Sequence, residues 1–202
     1  MNAKRKWSAR SFIGAILAFA VYYWAISYTV VGFVAEEHHF PRNISEAAQS
    51  GSTWQIGKFL ARGAKVNGRD DLGFTPLLRA VIRDKLPATE FLISKGADVN
   101  ASASGETALG WAVYKKDVRL VELLLDHGAR VDAKTHDGRT PLLMLISESS
   151  CLGKNERLAE VLVQHGADVN ARDEYNSSPL GYAERYQWDN TIRLLRAHGA
   201  KR

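Results

Sequence analysis

Six histidines, one cysteine and a few adjacent carboxylates are the residues of this 202-residue chain with the chemistry to hold a metal or drive a reaction. His127, His165 and His198 each stand immediately before a Gly-Ala pair. A ring donor one residue before a helix-ending glycine satisfies the last carbonyls of the helix, so capping is the role expected. Their spacing of one repeat or more keeps them too far apart to share an ion. His38-His39 reads as a solvated pair rather than a ligand set, and Asp70-Asp71 as turn residues. Cys151, alone, forms neither an intrachain disulfide nor a CxxC zinc site. It is expected to be unpaired and partly buried, or to pair with another chain in an oxidising compartment. No Gly-x-Ser-x-Gly elbow, glycine-rich phosphate loop or HExxH helix is present. The expectation is a non-catalytic protein with no metal, cofactor or small-molecule substrate.

The elements that position these residues are set by composition and pattern. Apolar residues at 46% and charged residues at 24% are those of an average globular chain. The formal charge of +5 is carried mostly by Lys4, Arg5, Lys6 and Arg10, so the body is nearly neutral. A neutral body lacks the clustered basic face that a nucleic-acid backbone requires. Residues 1–10 read as a basic tail.

From Ser11 to Ala35 no side chain is charged. As a helix this run is roughly 37 Å long, against a hydrocarbon core of about 30 Å. A transmembrane signal anchor over 11–35 is therefore expected, followed by a linker over 36–41. Ala18-Phe19-Ala20 resembles a signal cleavage site, but the apolar stretch before it is short and the run continues beyond it. The cations precede the span while Glu36 and Glu37 follow it, so the amino terminus is expected in the cytoplasm and the rest on the exoplasmic or periplasmic side. Sequons at Asn43, Asn100 and Asn176 matter only in a eukaryotic secretory pathway.

The remainder is periodic. Gly-Ala recurs at 63, 96, 128, 166 and 199, and Thr75, Thr107, Thr140 and Ser178 keep the same beat. The interval from hydroxyl to glycine is 21 residues except in the unit opened by Thr140, where it is 26, an insertion over Ser147 to Asn155 that contains Cys151. Each hydroxyl is suited to cap a helix, with Pro or Ala at the first helical position. A second helix follows, with apolar spacing such as Val118, Val121, Leu124 and Leu125, and stops at the glycine. Val99-Asn100, Val131-Asp132 and Val169-Asn170 read as short extended pieces leading into a hairpin finger.

TPLLRAVI, TALGWAVY, TPLLMLIS and SPLGYAER, with LISKGADVNA, LLLDHGARVDA and VLVQHGADVNA, resemble the ankyrin repeat. The resemblance covers residues 42–202. It implies an all-α solenoid of about five helix-turn-helix units with hairpin fingers, preceded here by one transmembrane helix. The opening unit, ending at Gly63, resembles a cap with a polar outer face. Leu78, Gly110, Leu143 and Gly181 replace the family's His, so its hydrogen bonds between neighbouring loops are expected to be missing. Arg79, and Leu145-Ile146 in place of a small pair, are expected to alter packing in units two and four.

By that resemblance the concave face binds a protein. Its candidate residues are Arg69, Asp71 and Phe74 on the first finger, Ser104 and Glu106 on the second, His136 and Arg139 on the third, and Glu174 and Tyr175 on the last. Arg83, Tyr114, Lys115, Arg185 and Tyr186 lie along the inner helices. A membrane-anchored interaction module is the first reading. An immunity-type inhibitor of a periplasm-delivered toxin is a second. An accessory subunit, whose Gly14 and Ala18 pack its span against a larger membrane complex, is a third.

Overall fold

The computed structural model describes residues 41–147 and 155–201. The tail, the span expected over 11–35, the linker as far as residue 40 and the insertion with Cys151 lie outside the described residues. Among the described residues no helix is long and apolar enough to cross a membrane.

Among the described residues ten helices form five antiparallel pairs: α1 (Ile44–Ser50) with α2 (Thr53–Ala61), α3 (Pro76–Ile82) with α4 (Leu86–Ser94), α5 (Ala108–Tyr114) with α6 (Val118–Asp126), α7 (Pro141–Ser147) with α8 (Asn155–Gln164), and α9 (Pro179–Arg185) with α10 (Asp189–Ala197). Local chemistry sets most boundaries. The hydroxyls of Thr75, Thr107, Thr140 and Ser178 accept from the amides of Leu78, Gly110, Leu143 and Gly181. Each such cap contributes about 1 kcal/mol. Gly63, Gly96, Gly128, Gly166 and Gly199 follow the second helices in the left-handed region. His127, His165 and His198 direct Nδ1 at the carbonyls of Leu123, Val161 and Leu194, 2.8–2.9 Å away, as the capping expectation requires.

A pair of short helices cannot bury its own apolar side, so the units stack. Ala47, Ala48, Ile56, Leu77 and Leu92 form one buried cluster across the first two units. A second continues from Leu78 through Leu109, Leu124, Leu142 and Leu162 to Leu195. Leu145 and Ile146 are fully buried in it, so the departure from a small pair is absorbed by the core.

On the opening unit Trp54 is exposed, 68%, beside the exposed Lys58 and Arg62. One expectation is corrected. Val99-Asn100, Val131-Asp132 and Val169-Asn170 are turns, not extended pieces, and Val66-Asn67 is a turn like them. Neighbouring loops are nevertheless hydrogen-bonded to one another, by those same Asn and Asp residues in place of the family's His. Asn67 donates to the Gly96 carbonyl and accepts from the Asp98 amide. Asn100 does the same with Gly128 and Arg130, and Asn170 with Gly199 and Lys201. Asp132, lacking the donor, only accepts from the Asp168 amide. These rungs join the base of each unit to the next.

Among the described residues only the second finger contains a strand pair, β1 (Ser102–Ala103) with β2 (Glu106–Thr107), antiparallel with Ala103 opposite Glu106. Its two-residue turn has Ser104 and Gly105 at φ 52° and 80°, the type I′ signature. The other fingers close around three residues. The Asp70 amide donates to the Phe74 carbonyl, Thr135 to Arg139 and Asp173 to Ser177, with Gly73, Gly138 and Asn176 left-handed.

Candidate partner-binding face

The first and fourth fingers lock onto their own helices. Asp70 accepts from the Leu72 and Phe74 amides and, at 2.6 Å, from Arg79 Nε on α3. Partial burial alone would raise the Asp70 pKa, but the Arg79 and amide hydrogen bonds outweigh it and hold it below the ordinary carboxylate value. Arg79 also lies 4.4 Å from the Phe74 ring centre. Asp173 repeats the arrangement, accepting from the Tyr175 and Ser177 amides and, at 2.6 Å, from the Tyr182 hydroxyl on α9. That bond raises the Tyr182 pKa. Arg185 lies 5.8 Å from the Tyr182 ring centre.

The second and third fingers are built differently. Trp111 and Met144 take the helix position of Arg79 and Tyr182, while Ser102 and Thr135 take the finger position of Asp70 and Asp173. Trp111 Nε1 is consequently buried without a hydrogen-bond partner. Between these fingers opens a pocket of about 320 Å³, lined by Glu106, Gly110, Trp111, Tyr114, Thr135, His136, Asp137, Arg139 and Met144. Trp111 and Tyr114 meet edge to face, at 6.1 Å and 89°. Gly110 keeps the floor open, since a Cβ there would come within 3.1 Å of Glu106 Oε2.

The rim is a connected polar network. Glu106 Oε1 lies 2.9 Å from His136 Nδ1, which raises the His136 pKa above its ordinary value. Asp137 accepts from the Thr135 hydroxyl and from Arg139, whose Nη1 also donates to Ser147 at 2.9 Å. Burial would raise the Asp137 pKa, yet the Thr135 and Arg139 hydrogen bonds pull it down to about 2. Asp137 and Arg139 therefore stand as an ionised, mutually neutralised pair.

Of the fourteen candidate residues, the structure brings Glu106, Tyr114, His136 and Arg139 together in this pocket. Tyr114 is 58% exposed. Asp71, Ser104, Glu174 and Tyr175 are exposed finger residues, Tyr175 at 76%, and Glu174 raises the Tyr175 pKa by hydrogen bonding. The remainder are engaged within the chain or lie apart. Arg69 donates to the Gly73 and Ser102 carbonyls at 2.6 and 2.7 Å, bridging the first two fingers. Arg83 points both Nε and an Nη at Gln49, whose amide oxygen accepts. Phe74 and Tyr186 are partly buried against the core, Tyr186 also stacking on Tyr182. Lys115 lies outside the pocket, in a shallow depression with Asp84, Lys116, Asp117 and Arg119 at the interhelical turns. The Asp84 pKa is raised there by its hydrogen bond with Asp117. Pattern reading missed Trp111, Met144, Thr135 and Asp137. The signal for the first two was the helix position four residues after each capping hydroxyl, where Arg79, Trp111, Met144 and Tyr182 recur.

Comparison with known proteins agrees with this geometry. A family model of three ankyrin repeats matches residues 44–135, and a single-repeat model matches 137–174. The chain is 39% identical over 90 residues to the Drosophila melanogaster protein "Ankyrin repeat and KH domain-containing protein mask", covering 43% of this chain and 2% of that one. It is 38% identical over 88 residues to a putative ankyrin repeat-containing protein of Treponema pallidum (strain Nichols), covering 43% and 30%. It is 29% identical over 136 residues to the mitochondrial disaggregase of Bos taurus, covering 49% and 20%. The match thus spans less than a third of each of these relatives. Repeat period, stacked helix pairs and matched models agree: the chain belongs to the ankyrin-repeat family.

Proposed function

We propose that this protein is a non-catalytic protein-interaction module, tethered by a single span over 11–35 and displayed on the exoplasmic, periplasmic side of a membrane. The observation that carries the interaction reading is the pocket between the second and third fingers, where Trp111, Tyr114 and Met144 form an apolar wall inside a charged rim. Rings with a polar surround are the residue types that dominate interface energies. A stacked array presents such a face with little ordering cost. The tether and its orientation rest on the uncharged run Ser11–Ala35 and the four cations before it.

The test is capture of partners by the full-length protein, repeated with a face variant. Reversing Arg69, Arg83 and Arg139 would mislead, because each is hydrogen-bonded within the chain. Tyr114→Ala combined with Tyr175→Ala removes exposed rings instead. The partner is expected to be lost with the fold intact by circular dichroism; retained capture would overturn the concave-face assignment. Protease accessibility of the carboxyl-terminal array in spheroplasts or right-side-out membrane vesicles tests the compartment, and protection there would overturn it.

A further inference from the structure

The neighbours of the pocket indicate what it lacks. In the second and fifth units a cation of the chain itself lies against a ring of the finger or inner helix, Arg79 against Phe74 and Arg185 against Tyr182. Among the described residues no Lys or Arg lies over Trp111 or Tyr114, although these two rings form the pocket's corner at 89°. Lys115, the cation next in sequence, belongs to the depression at the interhelical turns.

The rim charges point the same way. Arg139 and Asp137 cancel one another. Glu106 then remains as the net charge of the pocket whenever His136 is neutral, with Oε1 toward His136 and Oε2 over Gly110 on the floor. One carboxylate beside two rings, in a site partly shielded from water, favours a cation: the ring faces and the charge attract it together.

We propose that this pocket receives an arginine or lysine side chain of the protein partner, its charged head against Trp111 and Tyr114 and its hydrogen bonds directed to Glu106. This rests on the interaction reading above and adds the chemical identity of the anchor. It also makes docking pH-dependent. His136 faces Glu106 from the third finger, with Asp137 and Arg139 beside it, and its protonation cancels the charge that the incoming cation seeks.

The test titrates the full-length, isotopically labelled protein with N-acetyl-arginine amide and, separately, N-acetyl-leucine amide at pH 8, following the Trp111 indole and Gly110 amide resonances. The arginine derivative is expected to give saturable shifts, with the leucine derivative at least about tenfold weaker. Glu106→Gln, of the same size, is expected to weaken arginine at least about fivefold, and so is lowering the pH to 6. Gly110→Met, which fills the floor, is expected to abolish the shifts. Equal or tighter leucine binding, no shift with either derivative, or arginine shifts that persist in both variants would overturn the proposal. Partner capture that depends on Tyr114 and Tyr175 but ignores Glu106→Gln would also overturn it, while the interaction reading would stand. Capture insensitive to all three residues would remove the concave-face assignment itself, and a full-length protein that captures no partner at all would remove the interaction reading.

Discussion

The outer fingers and the inner pair show two uses of one position in the repeat. Where the finger carries Asp and the helix carries a strong donor, as in Asp70 with Arg79 and Asp173 with Tyr182, the two are consumed within the unit. Where the same places hold Ser102 with Trp111, or Thr135 with Met144, no such bond forms and a pocket opens between the fingers. A pocket thus arises in a repetitive fold by omitting a structural contact that the outer units make. The cost is visible in the buried, partnerless Trp111 Nε1.

The strongest way to break the comparison is to open an outer finger. Asp70→Ala leaves Arg79, a largely covered cation, without its carboxylate, and removes the acceptor of two turn amides. A loss of about 2–3 kcal/mol is expected in urea unfolding, because an abandoned charged hydrogen-bond partner loses more than a neutral one. Gly105→Ala attacks the inner pair. Its φ of 80° is unfavourable for alanine, and the new methyl would lie 2.7 Å from His136 Cβ. A loss of about 2 kcal/mol is expected, with the His136 resonances displaced.

Ser102→Asp sharpens the comparison by offering Trp111 the acceptor that the outer units possess. A gain of about 1 kcal/mol and a shifted Trp111 indole resonance are expected. No gain would show that the two-residue turn, not the missing carboxylate, separates the second finger from the rest. The smallest effect is in pH. The Glu106 hydrogen bond raises the folded His136 pKa above its unfolded value of 6.5, so its contribution is complete below 6.5 and disappears as pH rises through the folded value. An NMR titration is expected to place His136 above 6.5. Asp137 has the opposite sign: depressed to about 2, it contributes above its ordinary value of 3.8 and loses that contribution as pH falls toward 2.

The period, the helix pairs and the caps were legible because each is local: a hydroxyl three residues before its amide, a histidine four residues after its carbonyl. What escaped depends on groups about one repeat apart. Arg69 reaches Ser102, Asn100 reaches Gly128 and Glu106 reaches His136 only once the units have stacked. Arginines at finger and helix positions therefore looked available when three of them were already engaged. The finger turns escaped for another reason: Ser104-Gly105 and Leu72-Gly73 differ little in composition, yet one closes in two residues and the other in three. The pocket escaped because it is made by what Ser102 and Gly110 lack.

The rung at Asp132 is the one that accepts without donating, and it lies beneath the boundary that holds the pocket. The same boundary is also crossed by the Arg157–Glu122 and His165–Asp126 contacts. In an array glued only neighbour to neighbour, anything seated in the pocket touches both sides of one seam and so acts as a clamp between the three leading pairs and the two trailing ones.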